Sequence, residues 1–239
     1  MIKLLILLGL STVAFGASLR GYNERISNGH ATDIRGAKFY AFFNCGGILC
    51  GATLVTTNRL ITAAHCVREC RAENLVISVG MNSRAEIDNG SADQYRATAV
   101  HMHPSETETS GLNYDIAVIY LDGDVRVTET VEPISYALSP APLNDYVTCF
   151  GYGGTETGQG ADVLQRSYFL TKRYEGNKLI TNAEQTSVRP GDSGGPCTYN
   201  NQLTGVISAM ISVGDEVVEN ILVNTGTDEI LAFLRSHGL

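Results

Sequence analysis

Gly191-Asp192-Ser193-Gly194-Gly195-Pro196 is the stretch on which the reading of this 239-residue chain turns. Glycines beside a serine leave backbone N–H groups unobstructed. Two such donors aimed at one spot are what a developing oxyanion requires. The N–H groups of Gly191 and Ser193 are the candidate donors; a Gly-rich turn is the plain alternative for the hexapeptide taken alone.

Moving outward, a hydroxyl is a poor nucleophile until a base removes its proton. Thr62-Ala63-Ala64-His65-Cys66 offers a histidine among small residues, just after an apolar run and beside a cysteine that can anchor it. An imidazole titrates near neutral pH, so it can take the serine proton and return it to a leaving amine. That imidazole needs an acceptor to fix its tautomer. Asn113-Tyr114-Asp115-Ile116-Ala117-Val118 places a carboxylate at the mouth of an apolar strand. An acid half-buried there needs a partner. On its own, Asp115 reads rather as a strand cap.

Together these three segments resemble the chymotrypsin-like (trypsin-fold) serine proteases, in which the triad follows the order His, Asp, Ser, as His65, Asp115 and Ser193 do here. The resemblance spans Ile26 to Leu239. It implies an all-β fold of two six-stranded antiparallel β-barrels with a C-terminal helix, and catalysis in the cleft between them. It also implies that Ser208 supports Asp115 and that Cys50–Cys66 staples the loop bearing His65. Cys149 and Cys197 lie two residues from the family's barrel pair, in opposite directions along the chain, and are expected to pair. Cys45 and Cys70, on loops expected to flank the cleft, form the third expected bridge.

The resemblance extends to activation. Arg25-Ile26-Ser27-Asn28-Gly29 is similar to the family's activation junction, although Ser27 and Asn28 depart from the usual Val and Gly. Cleavage after Arg25 creates an ammonium on Ile26, which in the family pairs with the acid preceding the catalytic serine, here Asp192. A buried ion pair is strongly destabilised when one partner is missing, so the uncut chain is expected to be inactive.

The remainder of the chain agrees with such a frame. Lys3 followed by the mostly apolar run from Leu4 to Phe15, with Ala14 and Gly16, reads as a signal peptide over residues 1–16. Residues 17–25 read as an activation propeptide, and residues 26–239 as the protease domain. No later segment reaches the 18 apolar residues of a membrane span. Six cysteines fit a secreted, extracellular protein with every thiol paired. A net charge of −8 excludes a nucleic-acid surface and disfavours anionic lipid. Short β-type runs (Phe39–Asn44, Ala52–Thr56, Leu60–Ala63, Leu75–Gly80, Ile116–Leu121, Tyr146–Phe150, Leu203–Ile211 and Val217–Asn224) are punctuated by Gly, Asn, Asp and Pro. Thr227 to His237 reads as an amphipathic helix with Thr227 as its cap and an apolar face of Ile230, Leu231, Phe233 and Leu234.

For specificity, the resemblance places Ser187 at the floor of the primary pocket and Met210 and Leu222 at its walls. A neutral floor removes the attraction for Arg or Lys, and bulky walls shorten the pocket, so an apolar preference is expected. Asp215 or Glu216 turned inward would restore a basic one. Asn89-Gly90-Ser91 is a glycosylation acceptor. His101 and His103 read as solvent-facing residues on a strand. No metal and no cofactor are assigned. The expected partners are protein or peptide substrates, an activating protease and protein inhibitors, with the chain a monomer. The competing reading is a catalytically silent secreted pseudoprotease that serves as a binding protein.

Overall fold

A computed structural model describes residues 29–107, 109–154, 160–183 and 186–239. Arg25, Ile26 and the expected leader and propeptide lie outside the described residues.

Two closed barrels hold twelve of the thirteen strands among the described residues. The first is built from β2 (Tyr40–Cys45), β3 (Ile48–Thr56), β4 (Arg59–Thr62), β5 (Val76–Val79), β6 (Asp93–Met102) and β7 (Ala117–Leu121), closed in the order β2-β3-β4-β7-β6-β5. The second contains β8 (Tyr146–Gly151), β9 (Gln165–Glu175), β10 (Lys178–Asn182), β11 (Pro196–Tyr199), β12 (Gln202–Val213) and β13 (Glu216–Asn224). It runs β9-β10-β13-β12-β11-β8 and closes because β8 also pairs with β9. A two-residue strand, β1 (His30–Ala31), extends it along β9. Every strand pairing is antiparallel. Closure removes the exposed edges that an open sheet of short strands would leave.

The two barrels fill differently. Phe43, Leu54, Leu60, Ile61, Ile77 and Ile119 pack the first, whereas Val147, Phe169, Leu179, Ile207 and Leu222 pack the second. A single turn, α1 (Ala85–Asp88), precedes β6, and the chain ends in α2 (Asp228–Ser236). Ile230, Phe233 and Leu234 of α2 share one core cluster with the first barrel and with Leu203, Val206 and Val223 of β12 and β13. Thr227 does not cap α2 with its side chain; its hydroxyl donates backward to the Asn224 carbonyl. No helix among the described residues is long and apolar enough to cross a membrane.

Disulfides join Cys45 to Cys70, Cys50 to Cys66 and Cys149 to Cys197. The last links partners across the β8–β11 ladder, where Cys149 and Cys197 stand directly opposite. Asn89 is exposed just after α1. His101 is exposed, but His103, expected on the surface, is buried and stacked on Tyr114 with ring centroids 4.6 Å apart. Its neighbour Phe233 at 4.9 Å explains the difference: α2 covers that end of β6.

Candidate active site

Strand pairing brings His65 and Asp115 together. Thr62, the last residue of β4, pairs with Ala117, the first of β7. The chain leaves β4 into a 3-10 turn over Ala64–Cys66, and it enters β7 through Asp115 and Ile116. Both functional groups therefore sit at the same end of one ladder. Asp115 is fully buried and accepts from the His65 backbone N–H at 2.8 Å and from His65 Nδ1 at 2.7 Å. Ser208 Oγ donates to the same carboxylate at 2.5 Å. Burial alone would push the Asp115 carboxyl up; the bonds from His65 and Ser208 outweigh it and hold the group below the usual carboxylate range.

Ser208 reaches Asp115 because β12 is bulged. Ile207 pairs with Leu222 and Ala209 with Ile221, so Ser208 is the extra residue between them. Bulges of this kind re-aim a side chain and recur beside active sites.

Ser193 comes from the loop before β11. Its carbonyl accepts from Gly51 N at 2.8 Å, and a Cβ built on Gly194 would lie 3.2 Å from Ala63 N. The Ser193 backbone thus packs on the segment that carries His65, which Cys50–Cys66 fixes from behind. No hydrogen bond among the described residues joins Ser193 Oγ to His65 Nε2. The His65, Cys50 and Cys66 side chains lie close enough to resemble a metal cluster, but both sulfurs belong to the disulfide.

The amides around Ser193 divide into two sets. Asp192 N donates to Arg189 O, Gly194 N to Ile207 O and Gly195 N to Asp192 O. The N–H groups of Gly191 and Ser193 donate to no group among the described residues. Both residues line one cleft, of about 790 Å³. Gly191 holds φ at +98°, a conformation that a side chain would strain.

Asp192 lies beneath this loop, fully buried. It accepts from Gly153 N at 2.7 Å and from Arg189 N at 2.9 Å, and no ion pair among the described residues reaches it. Burial pushes its carboxyl up to about 7 against the pull of those two bonds. Gly153 is required by this contact, since a Cβ there would meet the carboxylate carbon at 2.3 Å.

A family model described as Trypsin matches residues 26–233. This chain belongs to the trypsin family. It is 27% identical to trypsin-1 of Salmo salar over 81% of this chain and 83% of the relative. It is 30% identical to a trypsin of Saccharopolyspora erythraea over 68% and 76%. Among solved structures, a scabies mite inactivated protease paralogue, S-D1, superposes with a TM-score of 0.78 at 19% identity, over 88% of this chain and 96% of that one. At that identity the likeness speaks for the fold alone. Membership places the chain among the serine endopeptidases, hydrolases of peptide bonds.

Within this trypsin-family frame one expected pocket wall is misplaced. Leu222 is fully buried in the core of the second barrel, opposite Ile207. The residue opposite Met210 is Asn220. Asn220 is itself fully buried: its Oδ1 accepts from Val188 N at 2.9 Å, and its Nδ2 donates to Thr181 Oγ1 and to the Asn182 carbonyl, each at 3.2 Å. The signal was an amide in the apolar run that ends β13, since an amide so placed must find partners. Ser187, next to Val188, is 3% exposed and does not line the cleft. Asp215 and Glu216 are exposed at the β12–β13 hairpin, away from it. Asn220→Ala strands the Val188 amide and is expected to cost about 1–3 kcal/mol of stability, measured by denaturant unfolding. A loss below about 0.5 kcal/mol would show that these bonds hold nothing.

Proposed function

We propose that the chain is a secreted serine endopeptidase, made as an inactive precursor, that cuts peptide bonds through an acyl-enzyme formed on Ser193. His65 takes the Ser193 proton as the hydroxyl attacks, then gives it to the leaving amine. Asp115 holds the His65 ring with Nδ1–H toward itself, leaving Nε2 free to accept, and stabilises the imidazolium. The free amides of Gly191 and Ser193 receive the oxyanion. The observation that carries this reading is the pair of unused donors at a serine that lines the cleft, its backbone packed on the segment that bears a carboxylate-anchored imidazole. The missing Ser193–His65 bond fits an uncut chain without substrate, because catalytic hydrogen bonds tighten in the complex.

Cleavage after Arg25 activates the chain, with the Ile26 ammonium as partner for Asp192. Six paired cysteines and the leader-like start support export. Ser187 offers no charge to a basic side chain, so cleavage after apolar residues, with small or medium side chains, is preferred over cleavage after Arg or Lys. A fluorophosphonate probe tests the catalytic reading. After cutting at Arg25, Ser193 labels; the uncut chain and Ser193→Ala do not. An activated chain that stays unlabelled would instead be the silent binding protein.

A further inference from the structure

The open cavity beside Ser193 is not the one expected over Ser187. It is the cleft lined by Ile48, Leu49, Tyr152, Met210, Arg189 and Ser193, together with four glycines and Pro190. Among the described residues that line it, Arg189 is the single charged side chain, in a chain whose net charge is −8. It forms no ion pair among the described residues, although the buried Asp192 carboxylate feels its charge, and its Nε is buried without a hydrogen-bond partner. Its backbone N–H is committed to Asp192, which fixes where the side chain starts. A buried guanidinium donor left unpaired is costly, and a carboxylate is its best match in charge and geometry. Ile48, Leu49 and Met210 give the same cleft apolar walls.

We infer that Arg189 makes this enzyme selective for substrates bearing an Asp or Glu side chain within two residues of the scissile bond, seated in the Arg189 cleft between Ile48 and Met210. This rests on the endopeptidase reading above and adds the substrate class to it. The small apolar residue at the cut site and the acidic neighbour then occupy different places, so the two preferences do not compete. A net-negative enzyme would otherwise repel an acidic peptide; a local cation reverses that at close range.

The test uses the full chain after cutting at Arg25. Quenched peptides that differ only by Glu against Gln, at each position flanking the cut, are compared by kcat/KM. The expected result is a preference for Glu of about tenfold or more at one position, falling as salt rises. Arg189→Gln brings that ratio to about one, and Arg189→Glu turns it toward Lys. A residue that merely braced Asp192 would change the rate for both peptides equally and leave the ratio alone. Equal cleavage of Glu and Gln peptides by wild-type chain whose Ser193 labels with fluorophosphonate overturns the Arg189 inference and spares the endopeptidase reading. Failure of Ser193 to label removes both.

Discussion

Asp115→Asn is expected to lower kcat by about four orders of magnitude while the protein stays folded. Three donors converge on the Asp115 carboxylate: the His65 backbone N–H, His65 Nδ1 and the Ser208 hydroxyl. An amide of the same shape offers only one oxygen to them. Its NH2 group would face His65 Nδ1 and turn that nitrogen into an acceptor, moving the ring proton to Nε2. Nε2 then points a proton at Ser193 instead of a lone pair, and the hydroxyl cannot be deprotonated. The buried site also loses its counter-charge for the imidazolium. Ser208→Ala should cost far less, because both His65 bonds to Asp115 survive it. Steady-state rates, with thermal melts as the folding control, check the pair; a fall of less than tenfold for Asp115→Asn would remove Asp115 from the mechanism.

Much of this site is legible in the sequence because the chemistry is concentrated in short motifs. The glycines around Ser193, the small residues around His65 and the apolar run after Asp115 each carry a local physical reason. Strands with apolar centres, such as β3 and β7, were equally legible. Others were not. β9 turns Gln165, Ser167, Phe169 and Thr171 inward, so its buried face is largely polar and shows no apolar alternation. β6 buries only Ala97 fully among ten residues. β11 is four residues long and begins with a proline. In the second barrel β8, β12 and β13 were legible as apolar runs, whereas β9 and β11 were not.

The pocket had one wall misplaced for a different reason. Its walls depend on the register between β12 and β13, and that ladder shifts twice, at Ile207/Ala209 and at Ile211/Ser212. A count of residues along the chain cannot register a bulge. A slip of two positions keeps the same face of the strand, so the count arrives at Leu222 where the ladder sets Asn220 opposite Met210. Arg189 was hidden as well, since a lone arginine beside a proline carries no pattern; only the cleft gives it meaning.

The uncut chain is expected to lose stability as pH rises from about 4 to about 7, whereas the chain cut at Arg25 is not. The sign follows from Asp192. Its carboxyl titrates near 3.8 when unfolded, and burial raises it to about 7 in the folded chain. The folded state then binds the proton more tightly than the unfolded state. That advantage is fully present below about 4 and is lost as pH passes through 7. Above 7 a bare carboxylate must sit fully buried on two amide bonds. An ammonium delivered by Ile26 would pair with that carboxylate and return its titration to the ordinary range or below, which flattens the curve. Thermal melts of the Arg25→Gln chain and of the activated chain, each across pH 4 to 8, single out this group because, apart from Glu24 of the propeptide and the new Ile26 amine, the groups that titrate in this range are shared. A difference of a few kcal/mol is expected, at about 2–4 °C per kcal/mol for a domain of this size. Asp192→Asn should flatten the precursor's curve and leave it inactive even after cutting at Arg25, because the new ammonium finds no charge to pair with. Parallel curves for the two forms would mean that cleavage brings no cation to Asp192, and the activation scheme would then have to act elsewhere.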